Sequence, residues 1–402
     1  MTSAGARAKW PWLLGGLLSV ALAVVALRRD PGSAPHVVAA SPSANIANVA
    51  PVQRQALEPF ARQLEQAAPP SEPERVPGKS NAEAITQLAD TSEDPRVVIA
   101  ALREVLTAFA ARGTRKPAPD AELERVLAKR LRSSNGQIAA AALQATRVSL
   151  MRPEPSEALS RAVADESAPE RDAPRRYAAL EALNLLRPDR RAGTALDAFE
   201  RALSAHEPFL VSLALLCLSQ SGASLASWPD ERRRALGQRA LELAEHADPG
   251  VRGHALLLLA ELEGLVDDAA RLGAALKHLT DAHPYVRAQA ADTAWRCREP
   301  LAIHALIDDV ADTAAARYEL VGFNQLDASV GSLLHVVPGR SSVGEAALLG
   351  MLSLSQDLPG VTPLELTLNG RAASPALILE NAGIARAWYR SFGPRIPREP
   401  RN

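Results

Sequence analysis

The fold is decided by two matching stretches, D-P-G-V-R-G-H-A at 248–255 and H-P-Y-V-R-A-Q-A at 283–290. Each carries a proline early, where the first turn of a helix accepts a residue that lacks an N–H group. Each ends in an alanine, and the apolar residues four before, one after and four after that alanine form one stripe on an α-helix. The stretches therefore predict helices that pack closely on their neighbours along the alanine.

The same alanine recurs at a nearly constant interval along the middle of the chain. The positions are separated by 41, 37, 35, 41 and 35 residues and are Ala101, Ala142, Ala179, Ala214, Ala255 and Ala290. Each alanine lies in the second helix of a pair. The first helix of each pair is predicted just before it, at 81–90, 120–132, 156–165, 194–205, 229–246 and 265–280. One pair of helices cannot bury its own apolar face, so the pairs are expected to stack into an array.

These repeats resemble the HEAT family. Asp94-Pro95-Arg96-Val97, followed by Ala101, fits the pattern of the two stretches quoted above. The unit near Ala173 departs from the pattern, because Arg175 occupies the usual valine column. The resemblance covers about residues 81–300 and gives the predicted fold class, an all-α, right-handed α-solenoid of six to seven HEAT-like hairpins. It also implies that the second helices form the concave face, and that this face binds partners.

The N-terminal region predicts a membrane anchor. After a short tail at 1–11, residues 12–27 are charge-free and largely apolar, with tryptophan and arginine at the ends. We predict an uncleaved transmembrane signal anchor that places the solenoid in the periplasm; the alternatives are a cleaved signal peptide and a cytoplasm-facing anchor. Residues 28–80 are rich in proline and alanine, which predicts a disordered linker with the option of a short helix at 53–66.

The C-terminal region is predicted to cap the solenoid. The solenoid is assigned to 81–326 and the cap and tail to 327–402, because the end of a stack would otherwise expose an apolar face. The solenoid is predicted to end in a degenerate helical pair at 301–310 and 314–326. Three elements are predicted in the cap: a helix at 342–355, a strand at Leu364, Leu366 and Leu368, and a last helix that opens at Ser374-Pro375.

The chain offers few groups for chemistry. It has no CxxC pair, glycine-rich phosphate loop or nucleophile elbow, so we predict no cofactor, no metal and no catalytic residue. His206, His246 and His283 precede three successive second helices, and they are either turn residues or a metal ladder. Cys217 and Cys297 are two repeats apart, too far for a disulfide, and are predicted to be buried free thiols.

Charge gives no clear sign of a nucleic-acid partner. The formal net charge is −1, and arginine clusters at 171–176 and 232–234 are interleaved with acidic residues. We predict a solvated helix face for these clusters, with nucleic-acid binding as the alternative.

A protein or peptide partner is expected on the concave face. Residues off the core stripe of the second helices give the candidate site, which consists of Phe209, Leu216, Leu257 and Tyr285. The helices there are apolar nearly all round, so something must cover them. The cover is a partner in a groove, the C-terminal region of the same chain folded back, or the stack itself if strong curvature buries these side chains.

The functional prediction is a membrane-tethered, non-enzymatic scaffold for protein–protein interaction. Two alternatives stay open: an enzyme or enzyme accessory with its site in the C-terminal region, and a purely structural spacer of the envelope.

Overall fold

A computed structural model describes residues 55, 57–58, 81–110, 121–151, 155–187, 191, 193–323, 330–336, 342–368 and 373–399. The predicted anchor at 12–27 lies outside these residues. Within them, every helix is too short or too polar to cross a membrane. Of the predicted linker, residues 55, 57 and 58 are helical and Leu57 is fully buried in the hydrophobic core, so this point of the linker is packed.

Seven pairs of helices make up the stack in the part of the chain that the structure describes. The first helices of the pairs are α1 (Asn81–Thr91), α3 (Ala121–Leu131), α5 (Glu157–Asp165), α7 (Gly193–Ala202), α10 (Asp230–Leu243), α12 (Asp268–His278) and α14 (Ala302–Asp309). The second helices are α2 (Pro95–Ala110), α4 (Gly136–Leu150), α6 (Ala173–Asn184), α8 (Pro208–Ser219), α11 (Pro249–Glu261), α13 (Pro284–Arg296) and α15 (Val343–Gln356). A short helix, α9 (Gly222–Leu225), links the fourth and fifth pairs. The helical-repeat prediction is confirmed at this level.

The second helices begin where the sequence predicted. Asp248 caps α11 by accepting hydrogen bonds from the N–H groups of Gly250 (2.9 Å) and Val251 (3.0 Å), and Pro249 occupies its first turn. Asn135 caps α4 in the same way. These caps satisfy amides that have no partner inside the helix, which fixes where each repeat turns.

The alanine column is the contact line between second helices. All six repeat alanines are buried, and a seventh, Ala347, takes the same place in α15 together with the buried Val343, Leu348 and Met351. Successive second helices pack more closely on each other than successive first helices do. Closer spacing belongs to the inner side of a curved stack, so the second helices form the concave layer.

The seventh pair differs from the prediction. Residues 314–326 were expected to form its second helix, but Arg317–Phe323 is a strand, β1, which pairs antiparallel with β2 (Val330–Val336). The sequence of β1 contains Tyr318, Val321 and Phe323, residue types that favour strands over helices. The second helix of the pair is α15, so a β-hairpin is inserted between α14 and α15 and the all-α prediction is wrong at this point.

The last helix, α16 (Pro375–Phe392), lies against α14 and α15 at the end of the stack. Ser374 caps it by accepting a hydrogen bond from the N–H of Leu377 (3.2 Å), as the sequence predicted. The predicted strand at 364–368 is absent from the described residues there. That segment instead crosses the end of the stack without a ladder partner, and the N–H of Thr367 donates to Asn381 of α16 (2.8 Å).

Candidate partner-binding surface

The four predicted partner-binding residues lie on the inner helices and are buried. The exposed fraction is 8% for Phe209, 5% for Leu216, 8% for Leu257 and 1% for Tyr285. They lie on α8, α11 and α13, which follow one another in the stack. The inner face is therefore continuous at this point but presents no open groove at these side chains.

The β-hairpin lies across this inner face. Strand β1 contacts both α6 and α13, which are separated in the stack by α8 and α11. These are the first and the last of four successive inner helices. A strand that contacts both of them crosses the concave side of the arc that the four helices form. The C-terminal part of the chain thus folds back onto the face where a partner was expected.

Tyr318 of β1 anchors the hairpin in a recess between α11 and α13. Its ring lies 5.6 Å from that of Tyr285, 6.0 Å from His254 and 6.1 Å from His283, measured between ring centroids. Its hydroxyl donates to Asp248 at 3.4 Å. We call the site formed by Gly250, His254, His283 and Tyr285 the Tyr318 recess.

Two glycines of α11 create the space for these rings. A Cβ atom on Gly250 would lie 2.3 Å from Cζ of Tyr318, and one on Gly253 would lie 2.3 Å from Cε1 of Tyr285. Both distances are far below van der Waals contact. The two rings therefore occupy space that is free because Gly250 and Gly253 have no Cβ atom. Any other residue type at these positions would fill it.

The groups beneath the recess are buried and hydrogen-bonded. Ser212 Oγ lies 2.7 Å from Nδ1 of His254, and Nε2 of Gln289 donates to the Tyr285 hydroxyl (3.2 Å). Burial raises the pKa of Tyr285, and it lowers the pKa of His283, whose Nδ1 accepts from the N–H of Tyr285 (3.2 Å). Ser212 and His254 are fully buried, so a substrate cannot reach this serine–histidine pair in the present arrangement.

The inner face becomes polar towards both ends. The residue two after each repeat alanine is buried in five successive second helices, where it reads Gln144, Glu181, Leu216, Leu257 and Asp292. Glu181 pairs with the buried Arg147 of α4 (3.3 Å), and Asp292 accepts from Nε1 of Trp295 (3.0 Å). The two leucines were predicted from the sequence, and the same offset from the alanine identifies the other three.

The arginine clusters are paired within the fold. Arg232 lies against Glu200 and Asp197 of the preceding repeat, while Arg175 pairs with Glu166. Similar bridges join the later repeats, from Arg252 to Asp281 (2.8 Å) and from Arg287 to Asp312 (2.6 Å). The 171–176 cluster does not match the solvated-face interpretation, since Arg176 is 8% and Glu166 1% exposed, whereas Arg232 is partly exposed. The bridges of Arg232, Arg252 and Arg287 tie neighbouring repeats together.

The histidines and cysteines have structural surroundings. Nδ1 of His246 accepts from the N–H of Asp248 (3.0 Å), which is a turn role like that of His283. Within the described ranges no group of three or more His, Cys, Asp or Glu side chains could hold a metal ion. Cys217 and Cys297 are free and buried, as predicted, and burial raises their thiol pKa values to about 12 and about 11.

Asp309, at the end of α14 just before the hairpin, gives a prediction about pH. Burial, and then the nearby Asp312, raise its pKa from 3.8 to about 6. Asp309 therefore loses its proton at a lower pH in the unfolded chain than in the folded one. As a result, its contribution to the free energy of unfolding falls as pH rises from about 4 through 6. We expect Asp309→Asn to be more stable than the wild type by about 1–2 kcal/mol at pH 8, after allowance for partial solvent screening, and equal to it at pH 3.5.

Urea titrations of both proteins at the two pH values measure this difference. A gain that is the same at pH 3.5 and pH 8 would show that the substitution acts through packing and not through the proton.

Comparisons with known proteins give remote likenesses only. No protein-family model matches the chain, and no curated protein matches it. One engineered protein aligns with 55% of this chain and 97% of its own length at 20% identity, with a TM-score of 0.44. Another covers 83% of this chain and 78% of its own length at 16% identity and a TM-score of 0.42.

A chain of the Kap95:Nup1 complex is also similar to this protein, at 13% identity and a TM-score of 0.47. The alignment covers 84% of this chain and 48% of that one. This chain thus spans about half the length of that one. The assignment of the fold rests on the helix packing described above.

Proposed function

We propose that the chain is a non-enzymatic scaffold that binds a protein or peptide partner on the inner face of its helical stack. The observation that supports this is the seating of Tyr318 in its recess while β1 crosses four inner helices. A face that accepts an extended segment with an aromatic anchor from its own chain has the shape and chemistry to accept such a segment from another protein.

In this proposal the hairpin and the partner compete for one surface. Tyr318 and Tyr285 are both buried against each other, so a partner reaches Tyr285 only after the hairpin leaves. When the hairpin leaves, apolar surface of the inner face is exposed to water. A partner that covers the same area buries this surface again. The expected partner motif is therefore an extended segment with an aromatic residue, not a helix.

The proposal includes a tether to the membrane through residues 12–27, with the solenoid in the periplasm. Its support is the charge-free apolar sequence of this segment and its aromatic and arginine flanks. Carbonate extraction tests it: the full chain should stay with the membranes, and a chain without residues 1–30 should be released. Release of both chains would contradict the tether.

Affinity capture from solubilised membranes tests the binding face. A chain in which residues 317–336 are replaced by a short Gly-Ser linker should recover a protein that the wild type recovers weakly or not at all. On that background, Gly250→Leu fills the recess from a helix position that favours leucine over glycine, so the recovered protein should be lost.

The matched control is Gly273→Leu, because Gly273 is exposed on α12 and has no atom within 4 Å of its added Cβ. It should leave recovery unchanged, and circular dichroism checks that all variants stay helical. Equal recovery by Gly250→Leu and Gly273→Leu would exclude the inner face as the binding site.

A further inference from the structure

The Tyr318 recess has a polar end, which is the carboxylate of Asp248. Tyr318 is 2% exposed, and its hydroxyl lies over the first turn of α11, since a Cβ atom on Gly250 would approach its oxygen to 2.5 Å. The group that the hydroxyl meets there is Oδ1 of Asp248, to which it donates at 3.4 Å. A buried hydroxyl needs such an acceptor, and a charged acceptor stabilises it more than a neutral one. The recess therefore fits a phenol better than a plain benzene ring.

This acceptor is held in place by the helix that it caps. Oδ1 of Asp248 also accepts from the N–H groups of Gly250 and Val251, so the carboxylate needs no rearrangement when a hydroxyl arrives. His283 lines the recess as well, and burial lowers its pKa. At neutral pH this histidine carries no charge that would compete for the carboxylate. The recess is thus preorganised for a hydroxyl donor.

The arginines next to the recess are bound to other carboxylates. Arg252, in the first turn of α11, pairs with Asp281 (2.8 Å), and Arg287, in the first turn of α13, pairs with Asp312 (2.6 Å). Asp248 takes part in no ion pair among the described residues, and its hydrogen bonds come from the two amides and the tyrosine hydroxyl. Its negative charge is therefore available to the hydroxyl that enters the recess.

The residues before Tyr318 show how an extended segment approaches the recess. Ala316 is 1% exposed, whereas Arg317, between it and the buried tyrosine, is partly exposed. Alternate residues of an extended chain point to the same side, so Ala316 and Tyr318 both face the inner helices. Ala316 belongs to the hydrophobic core, where a larger side chain would have to displace its neighbours. The seated motif is thus Ala-x-Tyr, in which the middle residue is free to vary.

We propose that the Tyr318 recess selects tyrosine, and that the partner of the inner face inserts it in an extended Ala-x-Tyr segment. This inference rests on the proposed scaffold function and names the anchor residue of the partner. Phenylalanine fills the same space but gives Asp248 no hydroxyl donor. Because Oδ1 of Asp248 keeps its two amide donors, the loss is one charge-assisted hydrogen bond, which corresponds to about tenfold in affinity.

A vacated recess tests the hydroxyl preference in the full chain. Tyr318→Ala removes the ring, and p-cresol and toluene are the probes because they reproduce the side chains of tyrosine and phenylalanine. Isothermal titration should give p-cresol a Kd about tenfold lower than that of toluene, although toluene is the more apolar molecule. The wild type should bind neither probe, since Tyr318 fills the recess. Equal binding, or tighter binding of toluene, would overturn the proposal.

Asp248→Asn on the Tyr318→Ala background tests the role of the carboxylate. Asparagine also caps helices and keeps an acceptor oxygen, but it has no charge. A neutral hydrogen bond is about half as strong as a charge-assisted one, so the preference for p-cresol should fall to about threefold. The control, Gly273→Leu on the exposed face of α12, should keep the tenfold preference. A preference that Asp248→Asn leaves unchanged would contradict the assignment of Asp248.

Peptides decide the question if the recess of Tyr318→Ala closes and binds neither probe. The receptor is the chain in which residues 314–336 are replaced by a Gly-Ser linker. The peptide A-A-A-R-Y-E-L-V, the sequence of residues 314–321, should bind about tenfold more tightly than the same peptide with phenylalanine in place of tyrosine. Gly250→Leu in the receptor should abolish the binding of both. No binding of the tyrosine peptide, or equal binding of the two, would overturn the proposal.

The tyrosine preference and the scaffold function fail in different ways. If affinity capture recovers a partner that Gly250→Leu loses, but the two peptides bind equally, the scaffold function stands and the preference is wrong. If the tyrosine peptide binds selectively and capture recovers no partner, the preference stands and the scaffold function is wrong.

Discussion

Replacing Leu216 with aspartate is expected to lower the free energy of unfolding by about 4 kcal/mol or more. Leu216 is 5% exposed in the middle of α8, so the substitution removes a buried apolar side chain and places a carboxylate in the same space. Each repeat of a stack depends on its neighbours, and the loss at α8 weakens the repeats on both sides. Urea unfolding followed by circular dichroism measures the change.

Leu379→Asp is the matched control, because it makes the same chemical change at a leucine that is 54% exposed. Its expected effect on the free energy of unfolding is within about 0.5 kcal/mol. If both variants were equally stable, Leu216 would lie on an open surface and not in the packed interior of the stack.

Arg191→Ala is expected to destabilise the fold by about 3–5 kcal/mol. The buried guanidinium of Arg191 donates to the carbonyl oxygens of Cys217 (2.7 Å), Asn184 (2.8 Å) and Leu186 (3.2 Å) and to Ser221 Oγ (2.8 Å). The acceptors lie at the ends of α6 and α8, where helix carbonyl groups lack partners and the helix dipole is negative. Alanine removes a charged donor from each of these oxygens, although the carbonyl oxygen of Cys217 keeps a hydrogen bond from the Ser221 hydroxyl (2.5 Å).

Arg161→Ala serves as the control, since Arg161 is exposed and pairs only with Glu157 one turn away on α5 (2.6 Å). Exposed pairs of this kind contribute about 0.5 kcal/mol. Thermal melts of the two variants should differ clearly. A melting temperature of Arg191→Ala equal to that of the control would show that Arg191 does not join the two helices.

The repeat architecture could be predicted from the sequence because its determinants are local and recur. The proline and cap residues before each second helix, such as Asp248, and the apolar stripe around each alanine act within one helix. The stack multiplies the same signal. Even α15 carried the signal, since Ala347 occupies the repeat alanine position with the expected residues around it.

The hairpin was missed because its stability depends on distant residues. Strand β1 has a short, mixed pattern that also fits a helix, and what holds it is the seat of Tyr318 on α11 and α13. The helix expected at 314–326 filled a gap in the repeat pattern, whereas the gap contains an insertion. Local periodicity cannot show that two further strands lie between the helices of one pair.

The sequence assigned the four candidate residues to the second helices, but it did not show whether their side chains are open or buried. The offset from the alanine correctly assigned Leu216 and Leu257 to the inner helices. Whether they are open or buried depends on residues from other parts of the chain, and no pattern within α8 or α11 contains that information. Gly250 is the one local sign, since a glycine early in a helix indicates close approach by another group.

The most direct test of the account is the environment of Tyr318 in solution. The chain has four tyrosines, so fluorine NMR of protein labelled with 3-fluorotyrosine gives a readable spectrum, and Tyr318→Phe assigns the resonance. We expect a Tyr318 signal that hardly shifts between H₂O and D₂O in the wild type. It should move to a solvent-exposed position in Gly250→Leu and stay unchanged in Gly273→Leu. A wild-type signal with the full solvent shift, or one that Gly250→Leu does not move, would contradict it.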